Sequence, residues 1–257
     1  MDYLQPKTIE EAVELLARGV PLAGGTELTT RRYDLNAVID LQYLGLDELT
    51  EQDGVIKAGA MVRLQQLITS TIDLPPVLRE ACRYEAAWNI RNQATLGGIL
   101  ISADGRSPLL TVLAAIDPAV LLAPGDETLK LTELLGRRSE IPGSFLILSL
   151  YLKRPQSLAY DFVARTPMDR PLVSAAAAYH DHDSKEYLQV AIGGYGDRPS
   201  SWSLGVEGKD PETLLSEISG NAIELYKDAG DAFASAAYRS EIAGVLTRRV
   251  ASEVLKA

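Results

Sequence analysis

Two short stretches could hold an anion without using a charged side chain: Gly19-Val-Pro-Leu-Ala-Gly-Gly-Thr-Glu-Leu28 and Arg91-Asn-Gln-Ala-Thr-Leu-Gly-Gly-Ile-Leu100. Glycine reaches positive φ without steric cost, so successive N–H groups can turn toward one point and form a concavity for phosphate, helped by any helix that starts there. The bland alternative for Gly24-Gly25 is a chain reversal between a strand and a helix. For Gly97-Gly98, set in irregular apolar sequence, no such structural excuse is visible. Neither G-x-G-x-x-G nor G-x-x-x-x-G-K-[ST] occurs and no lysine stands nearby, so an anion here would rely on backbone donors and dipoles. Two such turns could cradle one diphosphate from opposite sides.

The elements that must bring these turns together can be read from periodicity and punctuation. Tyr3-Leu4 reads as a strand, Thr8 to Glu11 as a capping box opening a helix with Ile9, Ala12, Val13, Leu15 and Leu16 on one face, and Gly19 as its stop. Val20 to Ala23 is a brief strand into the first diglycine, Thr26 a candidate cap for a short helix, and Ala37 to Asp40 a further strand. Connection rules make these strands parallel, with the diglycine at a carboxyl end. Beyond the Asp53-Gly54 hairpin come a strand at Val55 to Ala58, helices after Gly59-Ala60 and at Pro75-Pro76, and an aperiodic, apolar stretch from Asn89 to Gly105. Pro108 opens a helix, and Ala119 to Ala123 and Phe145 to Leu152 read as strands. After Arg154-Pro155 the character changes: three strands at Tyr160 to Ala164, Leu172 to Tyr179 and Tyr187 to Ile192, then helices, the last with Tyr238, Ile242, Val245, Leu246 and Val250 on one face.

Composition narrows the function classes. At 257 residues two domains are expected. The net charge of -10 argues against a broad nucleic-acid surface, and no apolar run approaches a membrane span or a secretory leader, so the expectation is a cytoplasmic protein without membrane span. One cysteine, Cys82, excludes an iron-sulfur cluster built from this chain's own thiolates, and it reads as a buried thiol. His180-Asp-His-Asp183 has metal-like residue types but reads as a solvated turn between strands, so no metal site is expected. With two histidines and no G-x-S-x-G, a hydrolytic triad has little to build on.

Taken in order, Pro21-Leu-Ala-Gly-Gly-Thr-Glu-Leu28, Gly59-Ala-Met-Val-Arg-Leu64, Ile90-Arg-Asn-Gln-Ala-Thr-Leu-Gly-Gly98, Gly193-Gly194 and Ala236-Ala-Tyr-Arg239 resemble the FAD-binding subunit of molybdenum hydroxylases. That family includes the medium subunit of aerobic carbon monoxide dehydrogenase and the flavin domain of xanthine dehydrogenase. The resemblance implies an α+β protein: a two-subdomain FAD-binding fold of the two-loop (PCMH/VAO-like) type over residues 1–155, divided near 53, then a smaller C-terminal α+β domain, 156–257, whose sheet is expected to be three-stranded and antiparallel. It implies FAD as cofactor, its diphosphate held by Leu22, Ala23, Gly24, Gly25, Thr26 and Glu27 on one side and Thr95, Gly97 and Gly98 on the other. Asp104 is the candidate for the ribitol or ribose, and the Arg165-x-x-x-Asp169 stretch for the neighbourhood of the isoalloxazine.

The role implied is electron transfer from an iron-sulfur partner to NAD+, oxygen or quinone, with substrate oxidation on a molybdopterin-binding large subunit. No acid or base of this chain is needed for that, so no catalytic residue is assigned. Two departures motivate an alternative, a flavin-free structural or assembly subunit: Ile99 stands where the family writes Asn after the second diglycine, and the segment from Gly98 to Pro108 is short. An independent oxidase of the same fold is disfavoured by the lack of a further substrate domain.

Overall fold

The computed structural model describes residues 1–140, 143–167, 169–182 and 185–256, apart from the side chains at 31, 32, 140, 182 and 185. In chain order its elements are β1 (Asp2–Leu4), α1 (Ile9–Leu15), β2 (Val20–Leu22), β3 (Ala37–Asp40), β4 (Leu49–Gln52), β5 (Val55–Gly59), α2 (Leu64–Thr69), α3 (Pro76–Glu85), α4 (Trp88–Arg91), α5 (Leu96–Ser102) and α6 (Pro108–Ile116). There follow β6 (Ala119–Ala123), β7 (Glu127–Lys130), α7 (Leu131–Gly136), β8 (Leu146–Lys153), β9 (Ser157–Val163), β10 (Val173–His182), β11 (Lys185–Gly193), β12 (Ser200–Gly205), α8 (Pro211–Leu225) and α9 (Ala236–Val254). They divide into two compact units, each of three chain segments: Met1–Leu74, Ala86–Ser102 and Pro118–Lys153 in the first, Pro75–Glu85, Ala103–Asp117 and Arg154–Ala257 in the second.

The first unit holds two sheets. A parallel sheet of order β1-β3-β2 has β3 buried along its whole length, as its unbroken run Ala-Val-Ile-Asp requires. Helix α1 covers it through Ala12 and Leu16, and starts where Thr8 Oγ1 accepts from the Glu11 N–H at 3.2 Å, the expected cap. The second sheet is antiparallel, β4-β5-β8-β6-β7, with β8 at its centre alternating little because both faces are covered. The strand β7 escapes sequence reading: Glu-Thr-Leu-Lys at a sheet edge is nearly all polar.

The second unit packs helices on one antiparallel sheet of order β12-β11-β10-β9. The expected three-stranded sheet is therefore corrected to four strands. The addition is Ser-Ser-Trp-Ser-Leu-Gly, whose serines dilute the alternation while Trp202 and Leu204 pack on the core. Helix α6 is buried at every position, from Pro108 to Ile116, against α3, β10 and β11. Ser107 caps it by accepting from the Leu110 N–H at 3.0 Å. His180 also differs from expectation: β10 continues through it, its ring is buried and stacked 4.8 Å from Tyr187, and its Nε2 lies 3.2 Å from the Ala115 carbonyl. The remainder of that motif, the His182 side chain and Asp183, lies outside the described residues. Among the described residues no helix is long and apolar enough to cross a membrane.

Candidate functional site

The first diglycine follows β2 at the carboxyl end of the parallel sheet, where Leu22 pairs with Asp40 and its carbonyl accepts from the Leu41 N–H at 3.2 Å. Gly25 has φ +69, the left-handed conformation that lets the chain turn back on itself. Beyond it Thr29 and Thr30 close the turn on the Gly25 and Glu27 carbonyls, with hydroxyl contacts of 2.6 and 2.7 Å. The segment that follows, Leu28–Asp34, is 3-10 helical, and Thr26 does not cap it: the preceding position is Glu27 and no side chain accepts there. Among the described residues, the N–H groups of Ala23, Gly24, Gly25, Thr26 and Glu27 donate to no protein acceptor. Ala23 to Thr26 are half-buried and Glu27 exposed, and half-buried N–H groups without a protein partner are satisfied by water or a ligand. A phosphate, with acceptors on every side, fits that donor set.

The chain does bring the second turn to the first. A Cβ on Gly24 would lie 2.7 Å from the Gln93 carbonyl carbon and 3.2 Å from Ala94 Cα, so the turn can sit on this backbone only because nothing projects from it. The motif Gly59 to Leu64 forms the rail on the other side: Leu64 N–H donates to Ala94 at 3.0 Å, Leu96 to Val62 at 2.8 Å, and Arg63 bridges Thr95. Gly97-Gly98 is not irregular, as its aperiodic sequence suggested, but lies in the first turn of α5. Its N–H groups are already used, Gly97 donating to the Ala60 carbonyl at 2.8 Å and Gly98 to Thr95 Oγ1 at 3.2 Å. Gly97 also has the structural reason that the sequence hides, since a Cβ there would lie 2.9 Å from the Ala60 Cβ. Ile99 continues the helix, half-buried, its N–H on the Thr95 carbonyl at 3.0 Å.

Asp104 belongs to the second unit, where the sequence did not show its partners. Arg170 grips both of its oxygens, one contact at 3.0 Å from the Arg170 Nη1, and the Arg106 N–H donates to Oδ1 at 2.8 Å. The Arg106 side chain in turn donates to the Pro171 and Arg170 carbonyls at 3.0 and 2.9 Å. Arg165 pairs with Asp169 at 3.5 Å. Gly193, singled out as a motif, is a packing position: a Cβ would lie 2.8 Å from both the Gly105 carbonyl oxygen and Ser174 Oγ.

Sequence reasoning also passed over Glu85, at the end of α3, whose Oε2 accepts from Ser107 Oγ at 2.6 Å and the Leu109 N–H at 3.0 Å. Burial pushes its carboxyl up from the ordinary 4.5, although Ser107, Leu109 and Arg170 pull the other way. A raised folded-state value means that Glu85 contributes stability fully below about pH 4.5 and loses it as pH rises through the folded value. Glu85→Gln keeps an acceptor without the charge. Its urea midpoint is expected to exceed that of the wild type at neutral pH and to match it near pH 4; equal midpoints throughout would remove the assignment.

Comparison with known proteins follows the same lines. Residues 1–150 match the family described as FAD binding domain in molybdopterin dehydrogenase. Over 255 residues the chain is 32% identical to the uncharacterized protein YgfM of Escherichia coli K12, covering 95% of this chain and 92% of that one. It is 28% identical to the nicotine 6-hydroxylase medium subunit of Paenarthrobacter nicotinovorans, covering 98% of this chain and 96% of that one. It is 25% identical to the glyceraldehyde dehydrogenase medium chain of Sulfolobus acidocaldarius, covering 98% and 97%. A carbon monoxide dehydrogenase chain from Hydrogenophaga pseudoflava superposes with a TM-score of 0.83 at 21% identity, over 100% of this chain and 97% of that chain, a likeness of fold.

Proposed function

Because the chain belongs to the family of FAD-binding domains of molybdopterin dehydrogenases, with FAD as its cofactor, we propose that it is the electron-transferring medium subunit of a molybdenum hydroxylase-type complex. When bound, the flavin supplies the redox chemistry. The protein's part is to hold and orient it. The reading rests on the five unpartnered N–H groups from Ala23 to Glu27, which with Leu22 form the diphosphate cradle. Thr95, Gly97 and Gly98 serve as the floor that fixes the cradle's shape, since the Gly97 and Gly98 N–H groups are spent within the protein and Thr95 Oγ1 accepts the second of them. Asp104, oriented by Arg170, is the candidate contact for the ribitol or ribose.

Under this reading residues 1–155 form the FAD-binding domain and 156–257 the C-terminal domain, a division supported by the family match over 1–150. The separate parallel and antiparallel sheets support two subdomains and the two-loop FAD fold; the proposed bounds 1–53 and 54–155 are better drawn near residue 45, since β4 pairs with β5 in the second sheet. Relatives named as medium chain and medium subunit support assembly with other subunits, which on this reading are an iron-sulfur partner and a molybdopterin-binding large subunit in a cytoplasmic complex. Electrons then leave for NAD+, oxygen or quinone.

The spent N–H groups of the second turn also favour one alternative, a flavin-free assembly subunit. Reconstitution separates the two. The purified chain incubated with FAD and desalted is expected to retain one flavin per chain by its absorption bands; protein that stays colourless while remaining folded overturns the electron-transfer reading.

A further inference from the structure

We propose that Arg91 is a positioning residue of the FAD cradle: it sets the place of the Gln93 and Ala94 backbone on which the first turn rests. The inference depends on that cradle being the FAD site, and every residue it uses lies in the first compact unit.

The platform is held from two directions. Downstream of Gln93 it is a ladder, in which the Leu64 N–H donates to the Ala94 carbonyl at 3.0 Å, Leu96 to Val62 at 2.8 Å and Gly97 to Ala60 at 2.8 Å. Upstream it is carried by α4, a single turn with no buried residue, on which Trp88 is 67% and Ile90 39% exposed. A helix that short has no stability of its own and must be held from outside. The Gln93 and Ala94 N–H groups both donate to the Ile90 carbonyl, at 2.9 and 2.7 Å, so a movement of α4 passes directly into the platform. Gly24 would register it, because its backbone comes so close that a Cβ there would lie 2.7 Å from the Gln93 carbonyl carbon.

Arg91 supplies the hold. Among the described residues it is the one side chain of α4 that hydrogen-bonds across the fold: its Nε donates to Gln65 Oε1 on α2 at 3.2 Å, and its Nη1 donates to the Ala86 carbonyl at 2.7 Å. The first bond ties α4 to the helix that continues the Gly59 to Leu64 rail, and the second pins the chain where it enters α4. Helix α2 is itself fixed at its start, where Gln66 Oε1 accepts from the Arg63 N–H at 2.8 Å. A guanidinium offers its donors in a rigid planar fork and so sets orientation as well as distance, which the mobile ammonium of a lysine cannot do. Arg91 therefore acts on the diphosphate through the Gln93 backbone and the turn that rests on it.

The test uses the full-length chain and FAD, with the dissociation constant from flavin fluorescence and phosphorus NMR of the bound diphosphate as readouts. Arg91→Met is expected to weaken FAD about tenfold and to displace the diphosphate resonances, with Arg91→Lys between it and the wild type. Arg137→Met removes a surface arginine of the same unit, paired with Glu127 at 3.0 Å, and is expected to leave both readouts unchanged. The ratio of the Arg91→Met and wild-type constants should be the same at low and high salt, because the effect passes through position and not through charge. Should Arg91→Met not fold, Gln65→Leu keeps the arginine and removes its partner on α2, and binding about threefold weaker is expected. Unmoved resonances, a wild-type affinity in whichever variant folds, a ratio that shrinks as salt rises, or an equal loss in Arg137→Met would each overturn the proposal. A wild-type chain that takes up no FAD overturns the cradle and this inference with it; a wild-type chain that takes it up while Arg91→Met matches it sinks this inference alone.

Discussion

Gly24→Ala is expected to unseat the first turn and abolish retention of FAD on desalting. The added Cβ would sit 2.7 Å from the Gln93 carbonyl carbon and closer still to its oxygen, and both are backbone that cannot rotate aside. Overpacking against fixed backbone costs about 3 kcal/mol. For a protein of this size that is a drop in thermal midpoint of roughly 6–12 °C. Gly25→Ala is the control. Its Cβ meets only side-chain atoms at 3.5 and 3.6 Å, so the penalty is that of a left-handed alanine, about 1–2 kcal/mol. Thermal unfolding and FAD titration of both variants decide the matter: a Gly24→Ala protein with the wild-type midpoint and full flavin would mean that the two turns do not rest on each other.

The second large effect is expected at Arg239. Its side chain is wholly buried and donates to the Leu172 carbonyl at 3.0 Å, the Ala229 carbonyl at 2.8 Å and the Asp231 carboxylate at 2.9 Å, with the Tyr195 ring 5.1 Å away. Removing the buried guanidinium leaves the Leu172 and Ala229 carbonyls without their donor, at about 1–3 kcal/mol for each unsatisfied group, while the exposed Asp231 returns to water, and Arg239→Met should lower the urea midpoint accordingly. Acid adds an independent check. Burial works against ionisation of Asp231, but Arg239 and the Phe233 and Ala234 N–H groups outweigh it and hold the carboxyl below its ordinary 3.8. A depressed value contributes stability above pH 3.8 that disappears as pH falls through the folded value. Arg239→Met should flatten that acid limb; a variant as stable as the wild type at pH 7, or one with the same acid slope, would show that the clasp carries no weight.

These two positions illustrate what sequence can and cannot carry. Local rules held where their causes are local: the Thr8 cap, Pro76 and Pro108 opening helices, and the parallel strands with a diglycine at a carboxyl end; the face of α9 is displaced from the expected one, with Tyr238 and Val245 exposed and Arg239, Ala243, Leu246, Val250 and Val254 buried. They failed where the cause lies far along the chain. Gly97 is glycine because Ala60 lies beneath it, and nothing near Gly97 says so. His180 reads as loop because its neighbours are polar, yet Ala115 and Tyr187 bury it. Arg239 was visible only as a member of a motif, since its partners at Leu172, Ala229 and Asp231 are assembled by folding. The strand at Ser200–Gly205 is made by its neighbour β11, to which it pairs from Tyr187 to Ile192, more than by its own composition. Of the candidate site, the first turn was legible because backbone donors follow from glycine and chain direction. The second turn was misread as a donor because the acceptors on Ala60 and Val62 are supplied by another segment.

Helix α6 has a consequence for how the protein is made. It leaves the ribosome with every one of its positions destined for burial, while the strands β10 and β11 that cover it are encoded after Val173. The nascent chain must therefore carry an apolar helix unshielded until much of the C-terminal half has emerged, a stage at which chaperone binding is expected. The same arrangement bars a minimal flavin module: a fragment stopped at Lys153 would keep α6 and lose its cover, so attempts to produce the FAD-binding half alone should yield aggregates, while the full chain folds.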